Sequence, residues 1–146
     1  MILAYQILEK YWDYGLLPIN PEKIANRLHL LVYASDPRSD KLGFIKNQKI
    51  FINPKNSDVI NRFVIAHLIG HNLLHDDDFE ETSKNFQKTV TDLKEMEANA
   101  FALELLMPER YFGKIVKKHT DIEKICDIFQ VSQLACVFRI KQLKLA

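Results

Sequence analysis

The segment FVIAHLIGHNLLH, residues 63–75, places three histidines four residues apart in an otherwise apolar run. Residues i and i+4 of an α-helix share a face, so His67 and His71 can direct two imidazole nitrogens toward one point. Zinc peptidases of the HExxH type hold their metal with this spacing. Those enzymes carry a glutamate after the first histidine as general base, whereas this chain has Leu68. The segment predicts a buried helix with two candidate metal ligands and no general base at the usual position.

Composition indicates one globular domain over residues 1–146, with a C-terminal helical part from about 109 to 146. With 47% hydrophobic residues, the chain can bury a core without disulfides or a structural metal. Its formal net charge of +1 gives no strong overall field for nucleic acid. No apolar run approaches the ~18 residues of a membrane span, and the N-terminus lacks the features of a signal peptide. We therefore expect a cytoplasmic protein without a membrane segment, in which Cys126 and Cys136 are reduced, buried thiols.

Helical and strand-like patterns follow one another along the chain and predict an α+β fold, a small antiparallel sheet packed against a helical bundle. Asn47-Gln48 predicts a tight hairpin, and the strand at 49–53 is a candidate edge strand for an extended peptide. Residues 76–88 are polar and predict an exposed loop. The expected helices cover 2–14, a short segment opened by Asn20-Pro21, 57–75 after a Ser57-Asp58 cap, 89–107 before Pro108, and two or three more within 109–144.

The segment EMEANAFALELLMP, residues 95–108, offers a third ligand. Glu95 and Asn99 are again four residues apart, so a carboxylate could bind the metal while the amide hydrogen-bonds a ligand histidine. Glu97 is the alternative to Glu95, but the two lie about 200° apart around a helix and cannot both face one metal. An HxxxH pair by itself is more often a pair of core histidines than a metal site.

Taken together, RFVIAHLIGHNLLH and EMEANAFALELLMP resemble the ImmA/IrrE family of zinc metallopeptidases, whose pattern is approximately RFTxAHExGHxxLH, a variable loop, then ExxANxFAxxLLMP. The resemblance extends through LPINPEKIANRLHLLVY, GFIKNQKIFINP and ICDIFQVSQLACVFRIKQL, and so covers nearly the whole chain. It implies a zincin-like core with His67, His71 and Glu95 as zinc ligands, since the family ligand lies four residues before the asparagine. His75 matches the last histidine of the pattern. We interpret it as a helix-end hydrogen-bonding residue or a further candidate ligand.

Leu68 departs from the family at the residue that moves the proton. Loss of a positioned general base typically costs about 10²–10⁴ in rate, whereas the ligand set is untouched. The first hypothesis is therefore a zinc-binding regulatory protein with weak or absent hydrolysis. The second is an active zinc metallopeptidase, in which an aspartate of 76–78 substitutes as base or Leu68 is an introduced change. The third is a metal-free protein-interaction module.

The C-terminal segment ICDIFQVSQLACVFRI, residues 125–140, is typical of a helix-turn-helix, with Ser132 as a helix cap. Residues 114–146 hold seven Lys or Arg against three Asp or Glu, but the second helix offers few polar side chains to base edges. The pattern therefore favours protein contact over direct DNA contact. ImmA/IrrE-like proteins typically act on helix-turn-helix repressors encoded beside them, often in mobile elements, so the resemblance implies such a partner.

Overall fold

The centre of the molecule is an 18-residue helix, α3 (Asp58–His75), in which residues 64–71 are all buried. Ser57 caps this helix as predicted, because its Oγ accepts a hydrogen bond from the amide of Ile60 at 3.2 Å. A helix that is apolar nearly all round can be stable only when other elements cover it. Here those elements are a second helix, α4 (Leu93–Leu106), and one face of a small sheet.

The computed structural model describes residues 4–12, 15–75, 78–82 and 92–145. Within these ranges the chain has an α+β fold, as predicted, with the sheet against a helical bundle. The other helices are α1 (Ala4–Tyr11), α2 (Pro21–Arg27), α5 (Glu109–Lys118), α6 (Ile122–Phe129) and α7 (Gln133–Gln142), and the strands are β1 (Leu31–Ala34), β2 (Lys41–Lys46), β3 (Lys49–Ile52) and β4 (Phe79–Thr82). None of the helices described in these ranges is long and apolar enough to cross a membrane.

The four strands lie in the order β1-β3-β2-β4. Asn47 and Gln48 form the predicted hairpin with φ values of 52° and 62°, the left-handed pair that a two-residue type I′ turn requires. β2 is antiparallel to both β3 and β4, but β1 is parallel to β3, so the predicted antiparallel sheet is in fact mixed. The chain passes from β1 to β2 first, and the hairpin then returns β3 into the gap between them.

Two sequence predictions about the sheet were wrong. The strand predicted at 49–53 is not an edge, because β3 lies between β1 and β2, and β1 and β4 form the edges. Residues 79–82, expected within an exposed loop, form β4 and pair with β2. An edge strand pairs with one neighbour only and tolerates charged residues. A polar segment can therefore form such a strand without the apolar pattern by which strands are predicted. Residues 83–88 of the predicted loop lie outside the described residues.

Close packing between α3 and α4 depends on small residues. A Cβ atom built on Gly70 would lie 3.0 Å from the Phe101 ring and 3.3 Å from the Ala98 backbone. Ala98 and Ala102 on α4 are fully buried. These contacts bring the two helices, and the side chains that they carry, close together.

The C-terminal helices follow the predicted helix-turn-helix pattern. Gln130 ends α6 in the left-handed conformation, and Ser132 caps α7 through a 3.1 Å hydrogen bond from the amide of Ala135. Cys126 and Cys136 are buried thiols that form no disulfide, as expected. Burial raises the pKa of Cys136 to about 12, so this thiol stays protonated at neutral pH.

Candidate metal centre

Three polar side chains from α3 and α4 converge on one point. His67 and His71 lie one turn apart on α3, and their Nε2 atoms are 3.1 Å apart. Glu95, near the start of α4, places Oε1 3.0 Å from His67 Nε2 and 2.5 Å from His71 Nε2. Both histidine side chains are almost fully buried, whereas Glu95 keeps 14% of its side-chain surface exposed. The cluster therefore reaches solvent on the side of Glu95.

The position of Glu95 follows from how α4 begins. Asp92 precedes the first turn, and its Oδ1 accepts a hydrogen bond from the backbone amide of Glu95 at 3.1 Å. This N-cap fixes the first turn of α4 and therefore the backbone position from which the Glu95 side chain extends to the histidines. The close approach of Gly70 to Ala98, about one turn further along α4, brings this part of α4 against α3.

The charges of the cluster suit a divalent cation. Burial lowers the pKa of His71, although the hydrogen bond to Glu95 opposes this effect. Partial burial alone would raise the pKa of Glu95, but the hydrogen bonds and charges of His67 and His71 outweigh it and lower that pKa to about 2. At neutral pH the site therefore presents an ionised carboxylate beside a neutral His71 imidazole, the protonation states that metal ligands require.

The geometry of the three donor atoms fits a zinc ion. Zinc bonds of about 2.0–2.2 Å in a tetrahedral arrangement place neighbouring ligand atoms about 3.3 Å apart. The observed separations are 2.5 to 3.1 Å, so the three pairs would have to open by about 0.2 to 0.8 Å to reach that spacing. If both imidazoles instead donated hydrogen bonds to Glu95, two N–H groups would face each other across 3.1 Å. A shared cation removes that conflict.

The structure does not add the other predicted residues to this group. Glu97 is half-buried and lies outside the set of donor atoms that are within 4.8 Å of one another. Asn99 is also half-buried, and among the described residues it makes no side-chain hydrogen bond to either histidine. The ring of His75, at the end of α3, lies 5.9 Å from that of His71. Its Nε2 is buried without a hydrogen-bond partner in the described ranges, so its roles, like that of Asn99, stay predictions.

Leu68 lies in the hydrophobic core with 0% of its surface exposed. Its side chain therefore packs within the core and adds no proton-accepting group to the polar cluster. Of the aspartates considered as a substitute base, Asp78 accepts a hydrogen bond at 3.2 Å from the backbone amide of Asn47, in the β2–β3 hairpin. Asp76 and Asp77 lie outside the described residues. Asp78 thus has a structural role at the hairpin.

Two further residues support the site through contacts that the sequence interpretation did not predict. Arg62 donates hydrogen bonds to the backbone carbonyls of Ile19, Phe129 and Gln130, which fixes the start of α3. Asp92 was also missed, although an aspartate three residues before a glutamate and ahead of an apolar helix is a capping signal. Nothing comparable in the sequence marks the Arg62 contacts, because their partners lie up to 68 residues away.

Comparison with known proteins places this geometry in context. The sequence profile described as "IrrE N-terminal-like domain", a peptidase family, matches residues 24–141. An "uncharacterized immunity region protein 2" of Bacillus phage phi105 is 33% identical over 98 residues, covering 62% of this chain and 60% of that protein. The chain thus spans less than two thirds of that relative. A solved structure described as a Mycobacterium tuberculosis transcriptional regulator superposes with a TM-score of 0.67 over 94% of this chain and 46% of that one, at 16% identity, which shows a shared fold.

Proposed function

Because the chain belongs to the IrrE N-terminal-like domain family, we propose that it is a zinc-binding regulatory protein that acts on a helix-turn-helix repressor with little or no peptide hydrolysis. The observation that carries this proposal is the convergence of His67, His71 and Glu95 beside a fully buried Leu68. The first three residues supply a ligand set. The fourth removes the general base from its usual position.

Each residue of the cluster has a separate task in this proposal. The imidazoles of His67 and His71 bind the ion from α3, and Glu95 supplies the negative charge from α4. Zinc, when bound, would supply a Lewis acid that polarises a carbonyl group. Leu68 can neither accept nor return a proton, so the chain's own side chains do not complete the hydrolytic cycle at this position.

The relatives support a role in transcription control. One relative is named for a phage immunity region and another for transcriptional regulation. A repressor acts where its DNA lies, so this partner places the action of the protein in the cytoplasm. The alternative of an active peptidase is less well supported, because Asp78, one of the candidate substitute bases, hydrogen-bonds to the hairpin. The alternative of a metal-free module is less well supported, because His67, His71 and Glu95 bring three potential ligand atoms together.

A DNA-release assay tests the proposal. The repressor encoded by the neighbouring gene is bound to a fluorescent operator, and the zinc-loaded protein is added while anisotropy is followed. We expect the anisotropy to fall while the repressor stays intact by mass spectrometry. The Glu95→Gln variant, added in the same way, should leave the repressor bound to the operator. A repressor that stays on the operator would refute the regulatory proposal, and a cleaved repressor would refute the loss of hydrolysis.

A further inference from the structure

A groove of about 470 Å³ lies at the opposite end of α4 from the histidine cluster. It is bounded by α1 and by the junction between α4 and α5. Glu95 and Glu104 are nine residues apart on α4, which corresponds to about 14 Å along a helix. The groove is therefore a separate surface. Its lining includes three aromatic residues, Tyr5, Trp12 and Tyr111, and three carboxylates, Glu9, Glu104 and Glu109.

The aromatic wall combines Tyr5 of α1 with Trp12, the residue directly after α1, and Tyr111 of α5. Tyr5, Glu9 and Trp12 follow the i, i+4, i+7 spacing that aligns side chains along a helix, and the amide of Trp12 continues the helical pattern by donating to the carbonyl of Leu8. Trp12 meets Tyr111 of α5 edge to face, with ring centroids 5.2 Å apart. Its Nε1 donates a hydrogen bond to the carbonyl of Leu16, which fixes the indole ring. Tyr5 is 50% exposed, so the wall is open to a partner.

The groove carries a negative charge. Arg110 is the basic residue in its lining, against three glutamates. The buried guanidinium of Arg139 lies within electrostatic reach of Glu104 and Glu109. Its Nε donates to the carbonyl of Met107. Even when Arg139 is counted with Arg110, one negative charge remains in excess.

We propose that this groove binds an arginine-bearing basic segment of a protein partner. A guanidinium stacks on aromatic rings and pairs with carboxylates in a fixed fork, and the groove offers both kinds of group. A volume of about 470 Å³ is ample for one such side chain and its neighbours. Where the partner is a repressor, its DNA-contacting surface supplies the arginines. That identification rests on the proposed function, whereas the binding of a basic segment does not.

Fluorescence tests this proposal directly, because Trp12 is the single tryptophan of the chain. Titration of the full protein with a capped tetra-arginine peptide should give a saturable change in tryptophan emission, and tetra-glutamate should give none. Glu9→Gln and Glu104→Gln should each weaken binding by about twofold to fivefold. Glu22→Gln on α2 makes the same charge change outside the groove and should leave the affinity unchanged. The variants are compared after circular dichroism shows that they are folded, and the exposed Glu9 carries the test if Glu104→Gln fails to fold.

Three outcomes would overturn the proposal: no saturable change with tetra-arginine, an equal response to tetra-glutamate, or unchanged affinity in both groove variants. The same titration on Glu95→Gln separates this proposal from the zinc proposal. Peptide binding should persist there because the groove lies at the other end of α4. If the unmutated, zinc-loaded protein bound tetra-arginine but left the repressor on its operator, the proposed function alone would be refuted.

Discussion

Adjacent residues of α3 lie in two different environments. His67 meets His71 and Glu95 in a polar cluster, whereas Leu68, the next residue, is fully enclosed by the hydrophobic core. One environment offers donor atoms that could hold a cation, and the other is apolar. The contrast shows that holding a metal and moving a proton depend on different side chains. A chain can therefore keep the first capacity while it lacks the second.

Restoring the proton carrier tests the contrast most strongly. In zinc-loaded protein, Leu68→Glu should raise the rate of repressor cleavage by about 10²–10⁴, because a positioned general base contributes this much. The rate is measured under single-turnover conditions by mass spectrometry. Leu68→Gln introduces a side chain of the same shape as glutamate that cannot act as a base, so its cleavage rate should equal that of the original protein. Equal rates for the original protein, Leu68→Glu and Leu68→Gln would show that position 68 does not limit hydrolysis.

Truncating the same residue measures its contribution to packing. Leu68→Ala should lower the free energy of unfolding by about 2–5 kcal/mol, because it leaves a cavity at a fully buried site. Urea denaturation followed by circular dichroism gives the value. The matched control is Leu134→Ala on α7, where the leucine is 67% exposed and the change should stay within about 0.5 kcal/mol. Similar losses at both positions would contradict the assignment of Leu68 to the core.

The Asp92 cap at the start of α4 allows a test of how Glu95 is positioned in the polar cluster. Asp92→Ala should cost about 1 kcal/mol of unfolding free energy and lower zinc affinity by up to about tenfold, because the first turn of α4 positions the carboxylate. Asp121 caps α6 through the amide of Glu123 in the same manner, away from the site. Asp121→Ala should cost a similar free energy and leave zinc affinity unchanged, as measured with a competing chelator. If both variants lose affinity equally, the effect comes from general destabilisation.

Local signals explain what could be predicted from the sequence. The helix carrying His67 and His71, the Asn47-Gln48 turn and the Ser132 cap each depend on residues a few positions apart, and each was confirmed. Predicting that Glu95 lies beside the histidines of α3 required more than local signals, because it depended on the joint resemblance of two segments to one family. Gly70 and Ala98 then make that meeting sterically possible.

Features set by distant parts of the chain could not be predicted. The parallel pairing of β1 with β3 follows from the order in which strands enter the sheet, and no residue in β1 encodes it. β4 was hidden because an edge strand in a polar segment lacks an apolar run. The acidic, aromatic groove combines α1 with the α4–α5 junction, about 100 residues later, so neither segment indicated it by itself.

Zinc content of the purified protein tests the central claim most directly. Inductively coupled plasma mass spectrometry, after incubation with zinc and gel filtration, should find about one zinc per chain. Glu95→Gln, which keeps the shape of the side chain and removes its charge, should lower that value sharply, and His119→Ala, a histidine outside the cluster, should not. Zinc absent from the original protein, or retained in full by Glu95→Gln, would contradict the account.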